Sequence, residues 1–366
     1  MPIHTVYVGA HEARAGTSRA WAERARRYFA ARFPDPESLV ALGVPGPLTT
    51  EVHARVSARL AGEVVQDLRI DFEDGYAGKD DATEDQDAAR CGRAMAEASR
   101  RGERPAGWGL RIRSLAPATR ARALRTFDRF ADALLDEADG EDPLRGFVVT
   151  LAKVVDPGEV EALAAHLLRR EGEWDLAAGS LRLELMAETP ESIVAADGRI
   201  AAPVLVQAAG GRCVGIHLGV YDFTASLGVV AALQGPRHPV CDFALRTLQV
   251  ALAGTAIELS DGSPRVAPAA GAAGPATPAE REVFADVRHA LAGAIYRGWD
   301  LAPSHTALRL VAGISFFREH LPVMEQRARR IHGEAGAHGG SGDLEDAATQ
   351  RALGTFFERA RMFGAV

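Results

Sequence analysis

A (β/α)8 TIM-type barrel with a C-terminal helical extension is the fold this sequence predicts, and three observations predict it. Strand-like and helix-like runs alternate over most of the 366 residues, the pattern of a parallel sheet with crossover helices. Eight strand-like runs can be placed, the number that closes such a barrel. No Gly-rich phosphate loop follows the first of them, which argues against an open doubly wound sheet.

The runs, in order, are Thr5–Gly9, Val64–Phe72, Gly109–Ser114, Gly146–Lys153, Leu181–Glu188, Cys213–Val220, Thr255–Leu259 and a short one near Trp299. Helix starts lie between them. Asp156-Pro157 precedes an apolar-periodic stretch, and Thr189-Pro190-Glu191 precedes Ser192-Ile-Val-Ala-Ala; each puts a capping side chain ahead of a proline in the first turn. Residues 261–279, rich in Gly, Ala and Pro without apolar periodicity, read as a long loop, either a lid or simply a mobile connection. Residues 1–332 are thus expected to form one catalytic barrel domain, and 333–366 a linker and a final amphipathic helix beginning near Asp343.

Composition narrows the function. A net charge of −7 with no basic stripe excludes an electrostatic nucleic-acid binder. No apolar run is long enough for a bilayer, and Met1-Pro-Ile-His4 opens directly into a strand rather than a signal peptide, so a cytoplasmic protein is expected. Cys91, Cys213 and Cys241 are isolated from one another, which supports neither a disulfide framework nor a thiolate metal site. All basic residues are arginine except Lys79 and Lys153, so arginine content by itself carries little functional information.

Two carboxylates stand out, Glu188 closing the fifth run and Asp222 closing the sixth. At the C-terminal rim of a barrel, two converging acids without a Cys or His pair suit a hard cation, Mg²⁺ with Mn²⁺ as a substitute, which keeps positions for water and substrate. An acid at a strand-to-helix junction also caps the helix after it, so neither residue alone is decisive.

Five blocks then occur in order: Asp71-Phe-Glu-Asp-Gly-Tyr76, Leu110-Arg-Ile-Arg-Ser-Leu115, Leu151-Ala-Lys153, Met186-Ala-Glu-Thr189, and Gly219-Val-Tyr-Asp-Phe223 with Ser226-Leu-Gly228. Together, over Val64 to Pro303, they resemble the citrate lyase β subunit-like branch of the HpcH/HpaI aldolase family, in the phosphoenolpyruvate/pyruvate barrel superfamily. The Asp-Phe-Glu-Asp wording is also similar to malate synthase.

The resemblance implies a Mg²⁺-dependent carbon–carbon lyase or aldolase acting on a 2-oxo acid, a hydroxy acid or its CoA thioester, in a homo-oligomer such as a trimer or hexamer. It makes Glu188 and Asp222 the metal ligands and Arg111 the group that binds the substrate's carboxylate or enolate oxygen. Asp71, Glu73 and Asp74 match its acidic block, where they hold waters and orient Arg111, with Glu73 and Asp74 close to the chemistry; Lys153 is a further substrate-side group. Arg113 and Ala302 replace an Asn and a His of the pattern. Two other readings stay open: a metal-free aldolase with Lys153 as Schiff-base lysine, and a barrel that binds an oxyacid without turning it over. His217, of opposite strand parity to Asp222, reads as a core histidine.

Overall fold

The computed structural model describes residues 2–138, 142–333 and 347–366. Eight parallel strands are present, β1 (His4–Gly9), β2 (Asp67–Asp71), β3 (Gly107–Ile112), β4 (Phe147–Leu151), β5 (Arg182–Ala187), β6 (Cys213–Leu218), β7 (Glu258–Ser260) and β8 (Gly298–Asp300). They pair in the order β7-β6-β5-β4-β3-β2-β1-β8, and a parallel bridge between Ser260 and Arg297 joins the two ends. The barrel predicted from the eight runs is therefore the fold.

The main helices are α1 (Thr17–Arg32), α2 (Thr49–Ala61), α3 (Asp81–Arg100), α4 (Arg120–Leu135), α5 (Pro157–Glu173), α6 (Ala202–Ala208), α7 (Val220–Ser226), α8 (Pro239–Ala251), α9 (Pro278–Ala292), α10 (Pro303–Gly333) and α11 (Ala347–Phe363). Asp156 caps α5 as the sequence predicts, accepting from Gly158 N. The Thr189 cap also forms, closing a box with Ser192, but only one 3₁₀ turn follows it. Val194 and Ile200 then pair as an antiparallel bridge across a turn at Gly198, whose φ of 82° is left-handed, and helix resumes only at Ala202.

Apolar side chains fill the space between sheet and helices. Trp108 of β3 packs on Phe147 of β4 at 4.9 Å between ring centroids, with Phe127 and Phe130 of α4 beside them, all fully buried. A second cluster lies under α10, where Phe363 at the end of α11 packs 5.5 Å from Phe317. Residues 334–346, which hold most of the predicted linker and the expected helix start at Asp343, lie outside the described residues. Among the described residues no helix is long and apolar enough to cross a membrane.

The barrel interior is layered. Low in the barrel, Glu184 lies 2.8 Å from both Arg69 and Arg297, Asp67 pairs with the same two arginines, and Thr5 and Thr150 add hydrogen bonds. Above this charged layer Tyr7, Ala152, Met186 and Trp299 form a buried apolar one. Charge returns at the mouth.

Candidate active site

Strand alternation decides which side chains reach the mouth. Asp71 and Arg111 are register partners at the ends of β2 and β3, and both are buried. Asp71 grips Arg111 twice, at 2.7 Å to Nε and 2.5 Å to Nη2, and its oxygens also accept from Glu73 N and Gly75 N. The guanidinium is thus fixed in orientation, while Nη1 stands apart, 3.4 Å from Glu73 and 3.8 Å from Asp74. Its charge is firmly held, because the attraction of Asp71 outweighs burial.

Glu188 follows β5 directly and is 1% exposed. Its Oε2 accepts from Lys153 N at 3.0 Å, and the chain passes over it at Gly219, where a Cβ would stand 2.2 Å from Glu188 Cγ. Glycine is required there for close approach rather than for its φ. Burial, against the pull of Arg111, pushes the Glu188 carboxyl up to about 8, with Glu73 and Asp222 adding to the rise.

Asp222 is not at the end of β6 as the unbroken apolar run led us to expect. The strand stops at Leu218 and Asp222 sits in the first turn of α7, its side chain 46% exposed. Lys153, in a left-handed conformation with φ 51° after β4, extends its ammonium to Glu73 at 2.6 Å, Asp74 at 2.8 Å and Asp222 at 3.6 Å. Against burial, the hydrogen bonds its ammonium donates to the Asp74 and Glu73 carboxylates raise its pKa, while burial raises that of Glu73.

These groups share one cavity of about 630 Å³ at the C-terminal ends of the strands, lined by Asp71, Asp74, Arg111, Glu188 and Asp222. Glu73 and Lys153 are tied to that lining by their ion pairs with Arg111, Asp74 and Asp222. Ala302 lines the cavity, whereas Arg113 turns away to Glu84 at 3.0 Å. His217 is a core residue, 3.0 Å from Glu184 and accepting from Trp299 Nε1. Sequence reasoning missed the cavity's other side chains, among them Tyr7, Trp21, Arg24 and Trp299. Of these only Tyr7 carried a usable signal, its strand parity with Thr5 and Gly9.

Five carboxylates against Arg111 and Lys153 leave three negative charges uncompensated within this group when all are ionised. A divalent cation relieves that excess. Among the described residues no three His, Cys, Asp or Glu side chains converge as ligands; Mg²⁺ needs only one or two protein carboxylates and completes its shell with water and substrate. Glu188 and Asp222 bring two carboxylates, hard oxygen donors, to the lining of this cavity.

The loop after β7 forms part of the wall through Ser263 and Pro264, and Tyr221 donates to the Ser263 carbonyl at 3.0 Å. Asp261 at its root is buried, and its carboxylate accepts from Gly262 N at 2.8 Å; burial pushes it up to about 7, with Asp286 adding to the rise and the Gly262 hydrogen bond, Arg309 and His289 opposing it. Its folded pKa lies above the unfolded value, so stability is fully present below pH about 4 and is lost as the pH rises towards about 7. Asp261→Asn should flatten that loss, melting higher than the parent at pH 8 and level with it at pH 4. Equal melting differences at both pH values would refute it.

The whole chain, residues 1–366, matches the profile of a family described as a domain of unknown function, DUF6986. No curated protein matches it in sequence. Among solved structures, a citrate lyase from Burkholderia xenovorans LB400 is similar with a TM-score of 0.64 and 17% identity, over 100% of this chain and 93% of that one. The CitE protein of Mycobacterium tuberculosis, in complex with magnesium, acetoacetate and coenzyme A, gives 0.53 and 16% over 98% and 97%. A malate synthase of Haloferax volcanii, in a magnesium and glyoxylate complex, gives 0.52 and 13% over 96% and 97%. At these identities the likeness is one of fold. The profile match, running from the first residue to the last, makes this chain a member of the DUF6986 family.

Proposed function

We propose that the protein is a divalent-cation-dependent carbon–carbon lyase or aldolase acting on a 2-oxo acid, a hydroxy acid or its CoA thioester. The observation that carries this reading is the convergence of Glu188, Asp222 and Arg111 on one cavity at the strand ends. The magnesium-bound structures that share the fold add support. Glu188 and Asp222 would hold Mg²⁺, or Mn²⁺ in its place. When bound, the ion supplies Lewis acidity at the substrate's oxygen.

The chain's own residues do the rest. Making or breaking a C–C bond beside a carbonyl passes through an enolate, and Arg111, locked by Asp71, presents Nη1 where that negative charge develops. Glu73 and Asp74 keep the Lys153 ammonium beside the same space. The apolar layer of Tyr7 and Trp299 beneath keeps bulk water from the floor. A homo-oligomer belongs to this reading, with Leu233, Phe243 and Val250 left exposed on the α7–α8 side.

The Schiff-base alternative needs a neutral Lys153 amine, and three carboxylates around the ammonium oppose that. Borohydride with pyruvate should therefore leave Lys153 unlabelled, and a screen of oxyacids and acyl-CoAs should give turnover that EDTA abolishes. Labelling of Lys153 with EDTA-insensitive turnover would replace the metal mechanism. Metal and oxyacid binding without any turnover would leave a non-catalytic barrel. Arg111→Lys separates the two binding partners: Mg²⁺ binding should persist while oxyacid affinity falls about tenfold or more, the worth of a lost charge-assisted hydrogen bond.

A further inference from the structure

Forming or cleaving a C–C bond beside a carbonyl needs a group that moves a proton, and most of the cavity's candidates are already engaged. Asp71 is spent on Arg111, Asp74 on Lys153 and the Tyr221 hydroxyl on the Ser263 carbonyl. Glu188 and Asp222 are the proposed cation ligands, and burial raises the pKa of the Tyr7 hydroxyl. His11 is the one histidine among the described residues that line the cavity. Its ring makes no hydrogen bond among the described residues, and its nearest charged neighbour is the Glu12 carboxylate, 3.6 Å from Nε2. Its position is nonetheless fixed. Gly9 ends β1 with the inward parity of Thr5 and Tyr7 and is the register partner of Asp71. A Cβ there would stand 2.7 Å from His11 Cε1 and 2.9 Å from Nδ1, so that edge of the imidazole takes the space a side chain at position 9 would fill at the barrel mouth. A tight turn folds it back, with Glu12 N donating to the Gly9 carbonyl at 2.9 Å. Arg90 of α3 pins the turn through the Ala10 and Ala13 carbonyls at 2.6 Å each, and Arg14 donates to the His11 carbonyl at 3.0 Å.

We infer that His11 is the catalytic acid/base of the reaction, working through Nδ1, with Glu12 beside Nε2 as its positioning residue. The inference rests on the proposed lyase function and names the residue that moves its proton. Histidine is the side chain best suited to take and return a proton near neutral pH. In the cleavage direction, Nδ1 accepts the proton of the substrate hydroxyl. That C–O bond becomes a carbonyl as the C–C bond breaks, and the electron pair of the broken bond passes into an enolate beside Arg111 Nη1. The imidazolium then returns the same proton to the enolate carbon, so His11 ends as it began and no oxidant or reductant is consumed. Condensation runs the same steps in reverse, starting with removal of a proton from the carbon beside the carbonyl.

That first reverse step can be watched alone, as exchange of methyl hydrogens for deuterium in D₂O. NMR follows it for pyruvate and for acetyl-CoA with the full-length, Mg²⁺-loaded protein, while isothermal titration reads the binding of each probe. The parent should bind and exchange at least one of the two. His11→Gln should bind that probe as tightly as the parent does, yet exchange it at least about 100-fold more slowly, the loss expected for a removed acid/base. The His11 side chain is 44% exposed, so the fold should tolerate the change. Undiminished exchange in the variant, or no exchange in a parent that binds a probe, overturns the role of His11 and leaves the oxyacid reading intact. A loss of affinity as large as the loss of exchange makes His11 a binding group and also overturns its role as acid/base. Binding of neither probe by the parent overturns the oxyacid reading itself.

Discussion

Glu188→Gln and Asp222→Asn should each abolish Mg²⁺ binding and turnover while leaving the protein folded. An ion held by only two carboxylates has no spare protein ligand, so losing either should weaken binding by at least about 100-fold. Stability should move the other way. The mouth carries more carboxylates than cations, and Glu188 is the most deeply buried of those facing the cavity, held up to about 8 by that burial. A neutral amide in its place stands in for a carboxyl that burial already favours in its neutral form below pH about 8, and still offers an oxygen to Lys153 N. In EDTA, Glu188→Gln should therefore melt no lower than the parent. With Mg²⁺ at 100 times its dissociation constant, the parent should gain about 2.7 kcal/mol and the variants almost nothing. Thermal melts with and without Mg²⁺ read both effects, and an undiminished Mg²⁺-induced shift in both variants would remove Glu188 and Asp222 from the metal site.

How much of this was legible in the chain varies with the physics behind each residue. Glu188 and Arg111 could be placed because a strand end and its parity are local properties, and both side chains do face the cavity. Asp222 was harder. The apolar run through Val220 and Tyr221 continues past the point where β6 stops, and only the turn at Gly219 separates strand from helix. The helix expected after Thr189 failed for a similar reason, since a cap fixes where a helix can begin but not how far it runs. Trp21 and Arg24 carried no signal at all. They reach the mouth through the way α1 packs against α10, which no local pattern encodes.

The charged interior did have a signal. Asp67-Leu-Arg-Ile-Asp71 alternates charged and apolar residues, as does Arg182-Leu-Glu-Leu185, and strand parity sends Asp67, Arg69, Asp71 and Glu184 to the same side as Arg111 and Glu188. Read only as apolar strands, these runs hid a polar core. Such a layer is unusual, because a charge in the interior is tolerated only when fully paired. It is balanced here, with Asp67 and Glu184 against Arg69 and Arg297, while burial lowers the pKa of His217.

That balance makes Glu184→Gln the most damaging single substitution we foresee for the fold. The Glu184 carboxylate meets Arg69 and Arg297 at 2.8 Å and His217 at 3.0 Å, and accepts from Thr150 at 3.3 Å. An amide fills the same volume but turns an NH₂ group towards two guanidiniums and leaves them to share Asp67, with Glu258 reaching Arg297 at 3.4 Å. Removing one partner of a buried ionic network costs about 3–5 kcal/mol, because the remaining charge stays uncompensated in low dielectric. The loss should be felt at the active site as well. His217 accepts from Trp299 Nε1 at 2.9 Å, and Trp299 stacks on Tyr7 beneath Arg111, so loosening Glu184 releases the cavity floor. Urea denaturation should show the full drop in stability, and the variant's tryptophan emission should shift before the main transition as Trp299 loses its anchor. Insoluble expression would agree with this expectation. A soluble variant within about 1 kcal/mol of the parent would mean that the layer is not a balanced ionic network.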